Sequence, residues 1–99
     1  MVNLPSLGLD GQIVMVTGAS SGLGLYFAHL LAAAGAEVVL AARSLDKLQV
    51  TVDELHSAGH RAYAVAMDVS NKASVQRAFV EAEQLLEGRT IQLLVNNAG

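Results

Sequence analysis

The turn at residues 17–24 has the composition of a phosphate-binding loop. It reads T-G-A-S-S-G-L-G, follows the apolar run 13–16, and leads into a second apolar segment. This order predicts a strand, a glycine-rich turn and the start of a helix. Glycines leave no side chain between the backbone and a ligand, and a helix N-terminus presents free N–H groups to an anion. The alternative is a turn whose glycines serve only its tight geometry.

Within this turn, the backbone and the small side chains are the candidate ligand contacts. The two serines would place hydroxyl donors where a pyrophosphate or a ribose lies. The candidate residues are Gly18, Ser20, Ser21, Gly22, Leu23 and Gly24.

The turn after the second predicted strand could read the ribose of a dinucleotide. An acidic residue about 20 residues after the loop would accept hydrogen bonds from a free 2′-hydroxyl and favour NAD. The sequence instead offers Ala42, Arg43 and Ser44, and a guanidinium with small neighbours suits a 2′-phosphate. We therefore expect NADP(H) to be preferred, with NAD(H) also possible. The alternative is a solvated arginine, paired or not with Asp46.

Two further turns carry candidate contacts. Asp68 could accept a hydrogen bond from an adenine amino group while Val69 packs on the ring, or Asp68 could simply stabilise a helix N-terminus. Asn96 could hold neighbouring backbone in place, and Ala98 and Gly99 are small enough for a ribose to lie against them. An Asn- and Gly-rich turn without a ligand is the alternative for this last segment.

Apolar runs alternate with amphipathic segments along the chain. We predict strands at 13–17, 37–42, 61–67 and 91–96, and helices at 22–34, 45–58 and 71–86. Alternation of this kind predicts an α/β fold, a Rossmann-like doubly wound parallel sheet with strand order 3-2-1-4 and three helices. We expect residues 1–11 to form an irregular lead-in and residues 12–99 to form a dinucleotide-binding domain that is truncated after its fourth strand.

The spacing of apolar residues predicts which face of each helix is buried. We expect Ser44 to cap the second helix and Ser70 to start the third. The predicted stripe of the first helix is Leu23, Phe27, Leu30, Leu31 and Ala34, with Tyr26 on or beside it. That of the second helix is Leu45, Leu48, Val52 and Leu55. That of the third helix is Val75, Ala78, Phe79, Ala82 and Leu86.

Composition excludes several classes of function. The 99 residues carry a net charge of -3 and scattered basic residues, which argues against nucleic acid as a partner. The absence of cysteine excludes disulfides and thiolate metal sites, and no metal site is expected from the histidines. No apolar stretch approaches a membrane span and the N-terminus lacks signal-peptide features, so we expect a cytoplasmic protein without a membrane partner.

Together, these turns resemble the short-chain dehydrogenase/reductase family. Its T-G-x-x-x-G-x-G loop is matched by Thr17, Gly18, Gly22 and Gly24, its aspartate after strand three by Asp68, and its N-N-A-G segment by residues 96–99. The resemblance implies a nicotinamide dinucleotide and hydride transfer to or from a small carbonyl or alcohol. One departure is Ser21, where NADP-preferring members often carry a basic residue.

No catalytic residue can be carried over from the family. Its Tyr-x-x-x-Lys motif has no counterpart, because Leu30 follows Tyr26 and Met67 follows Tyr63 at that spacing. We expect the chain to be the cofactor-binding part of an oxidoreductase. The isolated chain should be inactive and should form a homo-oligomer through an exposed edge strand. The alternatives are a non-catalytic dinucleotide-binding module and an interaction protein that pairs with a full-length relative.

Overall fold

Strands and helices alternate in the computed structural model, which describes residues 8–97. The elements are β1 (Ile13–Thr17), α1 (Gly22–Ala33), β2 (Glu37–Ala42), α2 (Leu45–Ser57), β3 (Ala62–Ala66), α3 (Lys72–Leu85) and β4 (Leu93–Val95). Residues 1–7 of the predicted lead-in, Ala98 and Gly99 lie outside the described residues. None of the helices described within 8–97 is long and apolar enough to cross a bilayer.

The four strands form one parallel sheet in the order β3-β2-β1-β4. In the register, Val16 lies beside Leu40 on one side and beside Val95 on the other. This confirms the predicted fold class and strand order. Since parallel strands all end at the same edge of the sheet, the turns after β1, β2, β3 and β4 are brought together there.

Apolar side chains cover both faces of the sheet, because alternate residues of each strand point to opposite sides. Val14, Val16, Val38 and Leu40 face α1 and α2. Met15, Val39 and Val65 face Ala78 and Ala82 of α3. All of these side chains are buried. The result is a three-layer arrangement whose rigid sheet holds the turns at its carboxyl edge.

The predicted buried face of α1 was wrong in part. Phe27 and Leu31 do pack against the core and Ala34 is buried, but the side chains of Leu23 and Leu30 are 57% and 45% exposed. The fully buried positions of the helix are Gly24, Ala28 and Ala32, and Tyr26 is 59% exposed rather than beside the packing face. Small residues let α1 lie close to β1 and β2, and that close approach sets the rotation of the helix.

Smaller differences concern where elements begin. Leu45 at the start of α2 is exposed, while Leu48, Val52 and Leu55 are buried as predicted. The residue that caps α3 is Asn71 and not Ser70, because the Asn71 side chain accepts the Ser74 N–H at 3.0 Å. Strands β3 and β4 are shorter than predicted.

The predicted buried stripe of α3 is confirmed, with Val75 and Phe79 partly buried beside three fully buried positions.

Candidate functional site

A cleft of about 670 Å³ lies at the carboxyl edge of the sheet, where the turns after β1, β2 and β3 meet. Its lining residues are Gly18, Ser20, Ser21, Ala42, Arg43, Ser44, Lys47, Met67, Asp68, Val69, Ser70 and Asn97. The cleft therefore brings together predicted contact residues from three separate turns. A groove of about 720 Å³ elsewhere is larger, but it is lined by α3 and Ala66 and contains no part of the glycine turn.

The glycine turn needs two of its glycines for different reasons. Gly22 has φ +57°, in the left-handed region that favours glycine, and a Cβ there would meet open space. Gly24 lies in the first turn of α1, and a Cβ there would overlap the carbonyl oxygen of Gly18 and come within 2.8 Å of Asn97 Nδ2. The loop thus packs tightly against the start of α1, and at Gly18 the backbone lines the cleft with no side chain in between.

Thr17 joins the glycine turn to the end of β4. Its hydroxyl donates to Asn96 Oδ1 at 3.0 Å and accepts a hydrogen bond from the backbone N–H of Asn97 at 3.0 Å. The side chain of Thr17 is buried, while its partners Asn96 and Asn97 are exposed and half-buried. The two hydrogen bonds hold Asn97 beside Gly18 and Gly24, at the edge of the cleft.

The wall formed by the turn after β2 is cationic. Arg43 and Lys47 both line the cleft, and within residues 8–97 neither has a carboxylate within 4.0 Å. The ion pair between Asp46 and Arg43 that the sequence allowed is therefore absent from the described chain. Ser44 is the N-cap residue of α2, as predicted, but its side chain makes no capping hydrogen bond. Its hydroxyl and the free N–H groups of the helix N-terminus are available to an anion.

The wall formed by the turn after β3, the third wall of the cleft, contains one fixed carboxylate. Asp68 accepts two hydrogen bonds from Ser70, from the hydroxyl at 2.6 Å and from the backbone N–H at 3.0 Å. These bonds, with a smaller contribution from the positive charge of Arg43, lower the pKa of Asp68 below its usual value. Its backbone N–H donates to Ser74 Oγ at 2.9 Å, which ties the turn to α3. Asp68 is therefore an ionised acceptor, and exposed Val69 lies beside it as an apolar surface.

Not every predicted site residue lines the cleft. Four of them are absent from its lining: Gly22, Leu23, Gly24 and Asn96. Gly24 contributes to the shape of the cleft by letting α1 pack closely, and Asn96 by accepting a hydrogen bond from Thr17. Ala98 and Gly99 lie outside the described residues. Sequence reasoning did not select the cleft-lining residues Lys47, Met67, Ser70 and Asn97. Lys47 could have been selected from the sequence, because it follows the candidate residue Arg43 by four residues.

The two tyrosines do not line this cleft. Tyr26 is exposed on α1, and Tyr63 is a strand residue, as predicted. The hydroxyl of Tyr63 donates to Glu37 Oε2 at 2.7 Å, in an ion-pair cluster with Arg89 away from the carboxyl edge. Neither position supplies an acid or base to the cleft.

Fold and cleft together define a class of protein. A doubly wound parallel sheet with a glycine turn after β1 and a cleft at the carboxyl edge is a Rossmann-like nucleotide-binding fold. The donor set fits a dinucleotide: the turn has no side chain at Gly18, the second wall carries cations and a free hydroxyl, and the third carries an ionised acceptor. A family model for short chain dehydrogenases matches residues 12–99. The chain belongs to this family of oxidoreductases and comprises its NAD(P)-binding Rossmann part.

Individual relatives agree with the family assignment. Oxidoreductase UcpA of Salmonella typhimurium is 45% identical over 91 residues, which cover 92% of this chain and 34% of that protein. The citronellol catabolism dehydrogenase AtuB of Pseudomonas aeruginosa is 42% identical, with a TM-score of 0.84 over 99% of this chain and 40% of its own. A gluconate 5-dehydrogenase from Burkholderia cenocepacia, in complex with NADP and tartrate, is 36% identical, with a TM-score of 0.84 over 92% of this chain and 35% of its own. The chain spans about a third of the length of the curated relatives it matches.

Proposed function

We propose that this chain binds NADP(H) in preference to NAD(H), as the cofactor-binding part of an oxidoreductase acting on a small carbonyl or alcohol. The observation that carries the proposal is Arg43 in the wall of the cleft after β2, without a carboxylate partner in the described chain. An acidic side chain at that place would repel a 2′-phosphate, whereas a guanidinium binds it through several hydrogen bonds.

Each wall of the cleft then has a part of the cofactor to hold. The backbone around Gly18 and the hydroxyls of Ser20 and Ser21 would bind the pyrophosphate. Arg43 and Ser44 would bind the 2′-phosphate. These assignments rest on the lining of the cleft and on the charge and hydrogen-bonding capacity of its side chains.

The remaining residues complete the proposed site. Asp68 would accept from the adenine amino group while Val69 packs on the ring, since both lie in the third wall. Asn96, which accepts a hydrogen bond from Thr17, would hold neighbouring backbone in place, and the ribose would lie against Ala98 and Gly99. When bound, the nicotinamide donates or accepts a hydride.

Solved relatives lend support to the choice of cofactor. The gluconate 5-dehydrogenase holds NADP, and a metagenomic short-chain oxidoreductase in complex with NADP is 40% identical to this chain, with a TM-score of 0.81. Both are similar to this chain over 92% of its length. Their shared fold makes NADP(H) the reasonable first ligand to test.

The decisive experiment is titration of the chain with NADPH and, separately, NADH, followed by nicotinamide fluorescence. We expect NADPH to bind more tightly, and Arg43→Glu to lower the NADPH/NADH affinity ratio about tenfold or more, because a bound anion loses charge-assisted hydrogen bonds and meets a like charge. Arg77→Glu is the matched control, since Arg77 is exposed on α3 and lines the groove away from the cleft. An unchanged ratio in Arg43→Glu would refute the proposed preference.

Turnover is proposed only for a chain that also carries the family's acid–base pair, and not for these 99 residues. The chain has no Tyr-x-x-x-Lys motif to supply the acid–base step that the family uses. We expect no consumption of NADPH by the isolated chain with any carbonyl substrate. Steady consumption, sustained after repurification, would mean that another residue of this chain performs the proton transfer.

A further inference from the structure

Lys47 lies on the same wall of the cleft as Arg43. It is the third residue of α2, exposed, and part of the cleft lining. Among residues 8–97 it has no carboxylate within 4.0 Å. Its ammonium group is therefore a free positive charge at the place where the wall formed by the turn after β2 meets the solvent.

The charge balance of the cleft shows what this cation could serve. The ionisable side chains in the lining are Arg43, Lys47 and Asp68. Arg43 is a counter-charge of Asp68 only in a weak sense, since it makes the smallest contribution to the lowered pKa of that carboxyl and forms no ion pair with it. A phosphate monoester carries close to two negative charges at neutral pH. A single guanidinium carries one positive charge and balances only part of the charge of the phosphate, and Lys47 supplies the second cation in the lining.

We propose that Lys47 binds the 2′-phosphate of NADP(H) together with Arg43, and so contributes to the choice of NADP(H) over NAD(H). The inference rests on the proposed function, since it concerns the same cleft. It adds a specificity-determining residue on α2, one helical turn beyond the turn that carries Arg43.

The position of Lys47 is unfavourable for the helix itself. A cation in the first turn opposes the helix dipole, whose positive end lies there. Lys72 occupies the equivalent region of α3, as its first residue, and is also exposed, but it does not line the cleft. Replacing either lysine by alanine should leave the stability of the unliganded chain unchanged or slightly raised. Only the replacement of Lys47 should weaken binding.

The test uses two ligands that differ only in the 2′-phosphate: adenosine 2′,5′-bisphosphate and adenosine 5′-monophosphate. Calorimetric titration of the 99-residue chain should show tighter binding of the bisphosphate. Lys47→Ala should weaken binding of the bisphosphate about tenfold while changing that of the monophosphate less than about twofold. Lys47→Arg should retain the preference, and Lys72→Ala should behave like the unmodified chain. Thermal melting without ligand checks that every variant is folded.

The possible results separate the two proposals. If Lys47→Ala leaves the bisphosphate unaffected while Arg43→Ala weakens it selectively, the role of Lys47 is refuted and the proposed cofactor preference stands. If Lys47→Ala weakens both ligands equally, Lys47 does not read the 2′-phosphate and the inference is again refuted. If the unmodified chain binds both ligands equally, or neither, the cofactor proposal fails and the role of Lys47 fails with it.

Discussion

Gly24 shows how one residue controls the shape of the cleft. A Cβ at this position would overlap the Gly18 carbonyl oxygen and crowd Asn97, so the start of α1 could no longer lie against the end of β1. Gly22 is different, because its requirement is the positive φ alone and space is open around it. Both positions match the family's loop pattern, yet the two physical reasons have different energetic consequences.

We expect Gly24→Ala to lower the free energy of unfolding by about 3 kcal/mol, because the backbone of two tightly packed segments must move apart. Gly22→Ala should cost about 1 kcal/mol, the strain of a left-handed conformation with a Cβ. Urea denaturation of the two variants measures both values. If Gly24→Ala were as mild as Gly22→Ala, the close approach of the glycine turn and α1 would not be a packing requirement.

The packing of α1 depends on small residues rather than on its largest ones. Ala28 and Ala32 are buried against the sheet, whereas Leu30 is nearly half exposed. The helix is apolar around most of its circumference, so periodicity alone does not identify its buried face. The buried face is set by the distance between the helix and the sheet, because the side of α1 that contains Gly24 must come close to β1.

For this element we expect Ala28→Leu to destabilise the chain by about 2–3 kcal/mol, since a larger side chain in a close-packed contact forces the helix away from the sheet. Leu30→Gln should cost less than about 1 kcal/mol, because much of that side chain already contacts water. Chemical denaturation of both variants makes the comparison. The reverse order would restore the stripe predicted from sequence.

At the scale of the whole molecule, a polar cluster joins elements far apart in the chain. Glu37 at the start of β2 accepts two hydrogen bonds from Arg89, at 2.8 and 2.7 Å, and one from the Tyr63 hydroxyl at 2.7 Å. The Arg89 bonds are the main cause of a lowered pKa at Glu37. Burial, followed by the bond to Glu37, raises the pKa of Tyr63. The cluster connects β2, β3 and the segment between α3 and β4.

These shifts predict how stability depends on pH. Because the pKa of Glu37 is lower in the folded state than its ordinary 4.5, its contribution is complete above that value and is lost as pH falls through the folded pKa. Because the pKa of Tyr63 is above its ordinary 10.0, its contribution is lost as pH rises through the folded pKa. Urea unfolding measured across pH should show both losses.

The variants assign each loss to its group. Glu37→Gln should flatten the acid side of the profile, and Tyr63→Phe the alkaline side. Glu83→Gln is the control for acid, since Glu83 is exposed on α3 and makes no ion pair within residues 8–97. An acid side as steep in Glu37→Gln as in the unmodified chain would show that other carboxylates cause it.

The exposed edge of the sheet at β4 is the reason to predict self-association of the chain. Within the described chain β4 pairs only with β1, and Leu93 and Leu94 are 48% and 51% exposed. Exposed apolar edge strands favour pairing with another chain. We expect light scattering of the 99-residue chain at tens of micromolar to show oligomers, and Leu94→Lys to reduce them. A monomer at these concentrations would contradict this expectation.

Local sequence by itself determined the alternation of strands and helices, the strand order and the carboxyl-edge location of the candidate site. Continuous apolar runs, amphipathic spacing and turn-forming glycines act over short distances, and a parallel sheet then follows from few possible topologies. The family motifs in the turns could be recognised from the sequence because each lies within a few consecutive residues.

Tertiary structure alone decided which side chains meet across the chain. The buried face of α1 depends on the distance between Gly24 and Gly18, which periodicity does not contain. That Lys47 and Asp68 line one cleft depends on how α2 and β3 pack, and the bond between Glu37 and Arg89 spans 52 residues. Such contacts arise from the packing of whole elements, so no local pattern specifies them.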